Sequence, residues 1–170
     1  MKNTIKLVLA ITVIALCSNV SAQNLKLAYI NMNELIVSMP EYESASAELQ
    51  KVIQGLQSEM EEMQVEYNRK LEDYNQKQAG WADLVKQSKT EELIAFQQRI
   101  QSFQQQAEES LQQEEAKLMQ PVYEKANKAI ETVAKEQGVT GVINDQVLLY
   151  KDATMINLLS AVQKHLGIDK

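Results

Sequence analysis

The chain has 170 residues, with one cysteine, one histidine, nine aromatic side chains and 23 acidic against 17 basic residues, for a net charge of −6. So few thiol and imidazole groups leave little material for a zinc centre or a cysteine nucleophile. The acidic balance argues equally against general binding to nucleic acid or to anionic membranes, which both rest on basic patches.

The first residues read as an export signal. Lys2 and Lys6 are followed by the apolar run LVLAITVIALC (Leu7–Cys17) and by Val20-Ser21-Ala22, a small-residue cleavage pattern. The run is short for a membrane span, which needs about 20 apolar residues. Leu16 stands where a lipid-attachment site at Cys17 would need a small residue. Cleavage is expected after Ala22, with Gln23 as the new N-terminus. It removes Lys2, Lys6 and the only cysteine, which takes the net charge to −8.

LKLAYIN (Leu25–Asn31) alternates and reads as a short strand. Pro40 and Pro121 then bracket eighty residues without proline and with only two glycines, Gly55 and Gly80. Straight-chain helix formers dominate this stretch. Apolar positions recur every three or four residues, first from Tyr42 through Leu49, Leu56, Met63 and Leu71 to Tyr74, then from Leu93 through Ile100, Phe103 and Leu111 to Val122. Gly80-Trp81 lies midway between the prolines, so two arms of about 60 Å would fold back there. One uninterrupted helix from 41 to 137 is the alternative, disfavoured because glycine suits a helix end better than its interior. Gly55 and the Glu114/Glu115 interruption mark places where the seam between the arms should loosen.

After Pro121, which is expected to kink the returning helix, the apolar spacing continues to Val133 and Gly138 is placed to cap it. VTGVI (Val139–Ile143) and QVLLY (Gln146–Tyr150) read as a hairpin around Asn144-Asp145. A last helix is expected from about Met155 to Leu166, with Asp152 or Thr154 as N-cap and Gly167 at its end.

The expected fold is α+β, mostly α: a long antiparallel helical hairpin, or coiled-coil arm, on a small β-strand body. Residues 1–22 form the signal, 23–40 with 121–170 the body, and 41–120 the arm, with its tip near 79–82. So small a body without a disulfide needs self-association to be stable. Leu27, Tyr29, Ile30, Val142, Ile143, Val147 and Leu149 are its expected oligomerisation residues.

Nothing in the sequence points to an enzyme or to a cofactor. His165 sits in the last turn of the final helix, where an imidazole favours the helix dipole. Adjacent acids such as Glu61-Glu62 and Glu108-Glu109 point different ways from a helix and read as solvated faces rather than an acid–base pair. No phosphate-binding loop or nucleophile elbow is present. Charge along the arm is uneven. Residues 68–90 hold five basic and three acidic residues, whereas both shafts are strongly acidic. The tip residues Tyr74, Lys77, Trp81, Leu84, Val85 and Lys86 therefore form a candidate contact surface.

Three segments, LKLAYINMNELIVSMPEYESASAEL (Leu25–Leu49), AIETVAKEQGVTGVIND (Ala129–Asp145) and YKDATMINLLSAVQKHL (Tyr150–Leu166), resemble in order and spacing the Skp/OmpH family of periplasmic chaperones. The resemblance implies a homotrimer with a small β body and three helical arms around a cavity. It implies an ATP-independent holdase that keeps unfolded outer-membrane proteins from aggregating in the periplasm, with no stable membrane insertion. The better-known members are strongly basic, and this chain departs from them in its acidic shafts and its lack of a basic cluster for lipopolysaccharide. An envelope adaptor whose hairpins bind one folded partner is the other reading of the same features.

Overall fold

The computed structural model describes residues 25–168. The signal expected over 1–22 lies outside them. Strand β1 (Leu27–Ile30) leads through Asn31 into helix α1 (Met32–Ser38), and the Asn31 Oδ1 caps that helix by accepting from the Glu34 N–H at 3.1 Å. Helix α1 stops where it does because the residue before a proline is pushed out of the helical region. Met39 is extended (φ −83°, ψ 133°), and Pro40 then starts helix α2 (Pro40–Lys77), a position where its missing N–H costs nothing.

Helix α2 spans 38 residues, about 57 Å. The chain reverses through a short 3-10 turn at Gln78–Gly80 and two extended residues, Trp81 and Ala82, before helix α3 (Asp83–Glu136) returns. Gly80 is not in the left-handed region, so the reversal is made by the 3-10 turn and not by a glycine cap. Helix α3 runs through Pro121, which shares one surface depression with Pro40. The prolines of the two arms therefore stand at the same level. Lys125 of α3 pairs there with Glu41 of α2 and holds its carboxyl below the usual range through a hydrogen bond.

Gly138, with φ +63°, follows α3 and turns the chain into strand β2 (Gly141–Asn144). The expected hairpin does not form. The Asn144 Oδ1 accepts from the Gln146 N–H at 3.3 Å and winds 145–147 into a 3-10 turn, so Gln146–Tyr150 is not a strand. The third strand is β3 (Ile156–Asn157), and the order is β2-β1-β3 with both pairings parallel. Parallel neighbours require a crossover, and α1, α2 and α3 together supply the one between β1 and β2. Helix α4 (Leu159–Leu166) starts later than expected: Asn157 Oδ1 accepts from the Leu159 N–H at 3.0 Å, whereas Asp152 and Thr154 bond to each other in the preceding turn. Gly167 ends α4 in the left-handed conformation, as its position suggested.

Ala28 and Ile30 point from β1 into a core closed by Leu35 and Ile36 of α1, Val122 to Ala134 of α3, and Leu158, Leu159 and Val162 around α4. Val142 and Ile156 flank Ala28 in register and pack against the same core. Leu27, Tyr29 and Ile143 lie on the opposite face of the sheet, because side chains alternate along a strand, and they are only half-buried.

Candidate functional site

The arm is best followed from its tip inward. Tyr74 and Trp81 meet edge to face, with ring centroids 5.6 Å apart. The Tyr74 hydroxyl lies 3.0 Å from the Thr90 hydroxyl, which in turn donates to the Lys86 carbonyl. Lys77 pairs with Asp73, and Lys86 lies 3.9 Å from Asp83. Leu84 is 78% exposed and Val85 42% exposed on the first turn of α3. The tip residues singled out from the sequence thus divide in two: Tyr74 and Trp81 pack on each other, while Leu84 and Val85 face solvent.

One layer in, Lys70 of α2 meets Glu92 of α3 at 2.6 Å, and Lys89 reaches the same carboxylate at 2.8 Å. The hydrogen bonds from Lys70 and then Lys89 lower the Glu92 pKa to about 2. A small cleft of about 240 Å³ opens between these charges and the Tyr74–Trp81 pair. Tyr67 and Phe96 stack across the next layer at 6.4 Å, with Lys70 and Arg99 each 5.9 Å from the Phe96 ring centre.

Met63 and Ile100 then form the one tightly buried layer of the shaft. Inward of it no apolar side chain is fully buried until the level of the prolines. Ile53, Leu56 and Met60 of α2 and Phe103, Ala107 and Leu111 of α3 stay half-buried along an open groove of about 690 Å³. Gln57, Gln104, Glu61 and Glu108 edge it. Burial resumes only with Ala45 and Val122, at the level of the prolines. Gly55 lies in the open stretch, and a Cβ built on it would meet nothing within 4 Å. The sequence placed Leu56, Met60, Phe103, Ala107 and Leu111 on the seam and marked Gly55 as a point where it should loosen, but it showed neither Ile53 nor the groove these residues line. Its signals were Gly55, the small Ala107 and the glutamates beside it.

In the body, the residues expected to serve oligomerisation also separate. Ile30 is buried in the protomer's own core, and Val142 packs towards that core. Leu27, Tyr29 and Ile143 occupy the open sheet face, where the Lys151 ammonium sits 3.8 Å from the Tyr29 ring centre. Val147 and Leu149 project into solvent beside Tyr150 in the segment after β2, and Leu149 is fully exposed.

Among the described residues no group of three His, Cys, Asp or Glu side chains is placed to hold a metal ion, and no helix is long and apolar enough to cross a membrane. The family model described as outer membrane protein (OmpH-like) matches residues 26–166. The fold is shared with a crystal structure from Caulobacter crescentus CB15, assigned there as an OmpH-like outer membrane chaperone. The two are 17% identical over 82% of each chain, with a TM-score of 0.71. No protein among curated sequences matches the chain.

Proposed function

The chain belongs to the OmpH-like family of periplasmic chaperones, a non-catalytic family, and we propose that it is an ATP-independent holdase that grips unfolded outer-membrane β-barrel proteins between its arms. The observation that carries this reading is the unclosed seam. A hairpin built only as a strut would bury its apolar stripe, yet between the Met63–Ile100 layer and the prolines this one leaves a groove of about 690 Å³. An unfolded barrel strand exposes alternating apolar side chains and aggregates unless they are covered. Several half-open grooves on separate arms would each bind weakly and together bind well, while every contact stays reversible.

Self-association supports the same picture. All-parallel sheets are normally covered on both faces. Here Leu27, Tyr29 and Ile143 are left half-buried, with Leu149 and Tyr150 exposed nearby. We assign this surface to contacts between copies in a homotrimer, with cleavage after Ala22 releasing the exported chain.

The test is light scattering during dilution of a urea-unfolded outer-membrane barrel protein. Trimer at or above one per client should suppress the signal for several unrelated barrels, and Leu56→Ser with Phe103→Ser should abolish most of that effect. No suppression, together with saturable binding to a single folded envelope protein, would make the chain an adaptor instead.

A further inference from the structure

We propose that the mid-arm groove selects client segments whose apolar side chains are flanked by lysine or arginine, a selectivity that rests on the holdase reading above. The groove is apolar at its floor, with Leu56, Met60 and Phe103, and acidic at its rim, with Glu61 and Glu108. The charge around it has one sign. From residue 52 to 68 on α2 and from 100 to 116 on α3 there are eight glutamates and no basic residue. Two of the eight are neutralised locally, Glu66 by Lys70 and Glu114 by Lys117, as Glu48 and Glu92 are by Lys51 and Lys70 elsewhere on the arm. Among the described residues Glu61, Glu62, Glu108 and Glu109 have no such partner within 4.0 Å.

Free carboxylates on both sides of an apolar cleft repel one another and are relieved by a cation placed between them. A segment carrying apolar residues for the floor and ammonium or guanidinium groups for the rim supplies both. Gln57 and Gln104, also on the rim, offer donors and acceptors for the unpaired backbone of an unfolded segment. An acidic segment meets the same surface with like charge and a desolvation cost. So does the shaft of a second copy of this chain, which makes the groove a poor interface between protomers and leaves it to the client.

Fluorescence anisotropy on protein purified after export reads this directly. Three labelled peptides share one alternating Leu/Phe core and carry flanking pairs of Lys, Gln or Glu. At low ionic strength the Lys-flanked peptide should bind at least about ten-fold tighter than the Glu-flanked one, and salt near ~0.5 M should shrink that gap as the Debye length shortens. Glu61→Gln, Glu62→Gln, Glu108→Gln and Glu109→Gln together should cut discrimination below about two-fold and leave the Gln-flanked peptide's affinity unchanged. Glutamine keeps the helix, so this variant should fold normally. An equal change of charge away from the groove, at Glu43, Glu91, Glu124 and Glu136, should preserve discrimination. Equal binding of the three peptides, preference for the Glu-flanked one, or equal loss in both variants would overturn the proposal. Normal suppression of aggregation alongside any of those results leaves the holdase reading standing; no binding of any peptide and no suppression overturns both.

Discussion

Trp81 sets its indole edge-on against the Tyr74 ring, with the ring planes at 69°, and thereby joins the end of α2 to the turn that reverses the chain. The chain's only tryptophan is therefore part of how the hairpin closes. Aromatic pairs in this geometry contribute about 0.5–1.5 kcal/mol beyond the area they bury. Trp81→Ala should lower the stability of the arm by about 1 kcal/mol or somewhat more, read as a shift of the urea midpoint in far-UV circular dichroism. Leu84→Ser with Val85→Ser removes exposed side chains and should change stability, read the same way, by less than about 0.5 kcal/mol. An unchanged midpoint in Trp81→Ala would mean that the ring pair does not hold the turn.

The Lys70–Glu92–Lys89 cluster makes the outer arm sensitive to acid. Glu92 is lowered from its ordinary value of 4.5 to about 2 when folded, so the folded state holds the carboxylate more strongly than the unfolded chain does. Its contribution is complete above about pH 4.5 and is lost as the pH falls through about 2. Glu92 is 41% exposed, so the effect is modest and weakens with salt. Between those pH values the wild-type arm should lose more stability than Glu92→Gln, and the two curves should converge near pH 2. Parallel curves across that window would show that the ion pairs add nothing measurable.

Two glycines should respond to alanine with opposite signs. Gly138 adopts φ +63°, a conformation that costs an L-residue roughly 1 kcal/mol, so Gly138→Ala should destabilise by about that amount. Gly55 is an ordinary helical residue with open space around it, and Gly55→Ala should stabilise by about 0.5–1 kcal/mol. Urea midpoints give both signs. Hydrogen exchange over residues 52–60 should slow in Gly55→Ala if the open seam is a locally weak part of the shaft.

The arm was legible in the sequence because Tyr67, Tyr74, Phe96 and Ile100 keep helical spacing over many turns, and because Gly80 stands midway between Pro40 and Pro121. The body was less so. Strand β3 has two residues, too few for any alternation to show, and its place in the sheet depends on Leu158 donating its N–H to the Tyr29 carbonyl at 3.0 Å. QVLLY has the composition of a strand but is diverted by the Asn144 side chain, a local hydrogen bond that competes with the ladder. Helix α1 was missed although Asn31 and Glu34 carry the N-cap spacing that announces it. The groove was legible only in part: Gly55 marked a place for the seam to loosen, but residue spacing shows which side chains face a seam, not how deeply they are covered.

The proposed homotrimer makes the most exposed prediction. A three-stranded parallel sheet with one face half-covered, flanked by a fully exposed Leu149 and by Tyr150 at 81% exposure, leaves apolar surface that a stable monomer would not show. Sedimentation equilibrium at micromolar concentration should therefore return about three times the mass of the exported chain. Leu149→Lys with Tyr150→Ser places a charge in that contact and leaves the protomer core of Leu35, Leu158 and Val162 untouched. The variant should dissociate while retaining the far-UV spectrum of the long helices. It should also lose most of its holdase effect, because separated arms forfeit the gain from multivalency. A wild-type monomer would rule out the trimer, and a variant that stays trimeric would move the interface from the segment after β2 to the open sheet face alone.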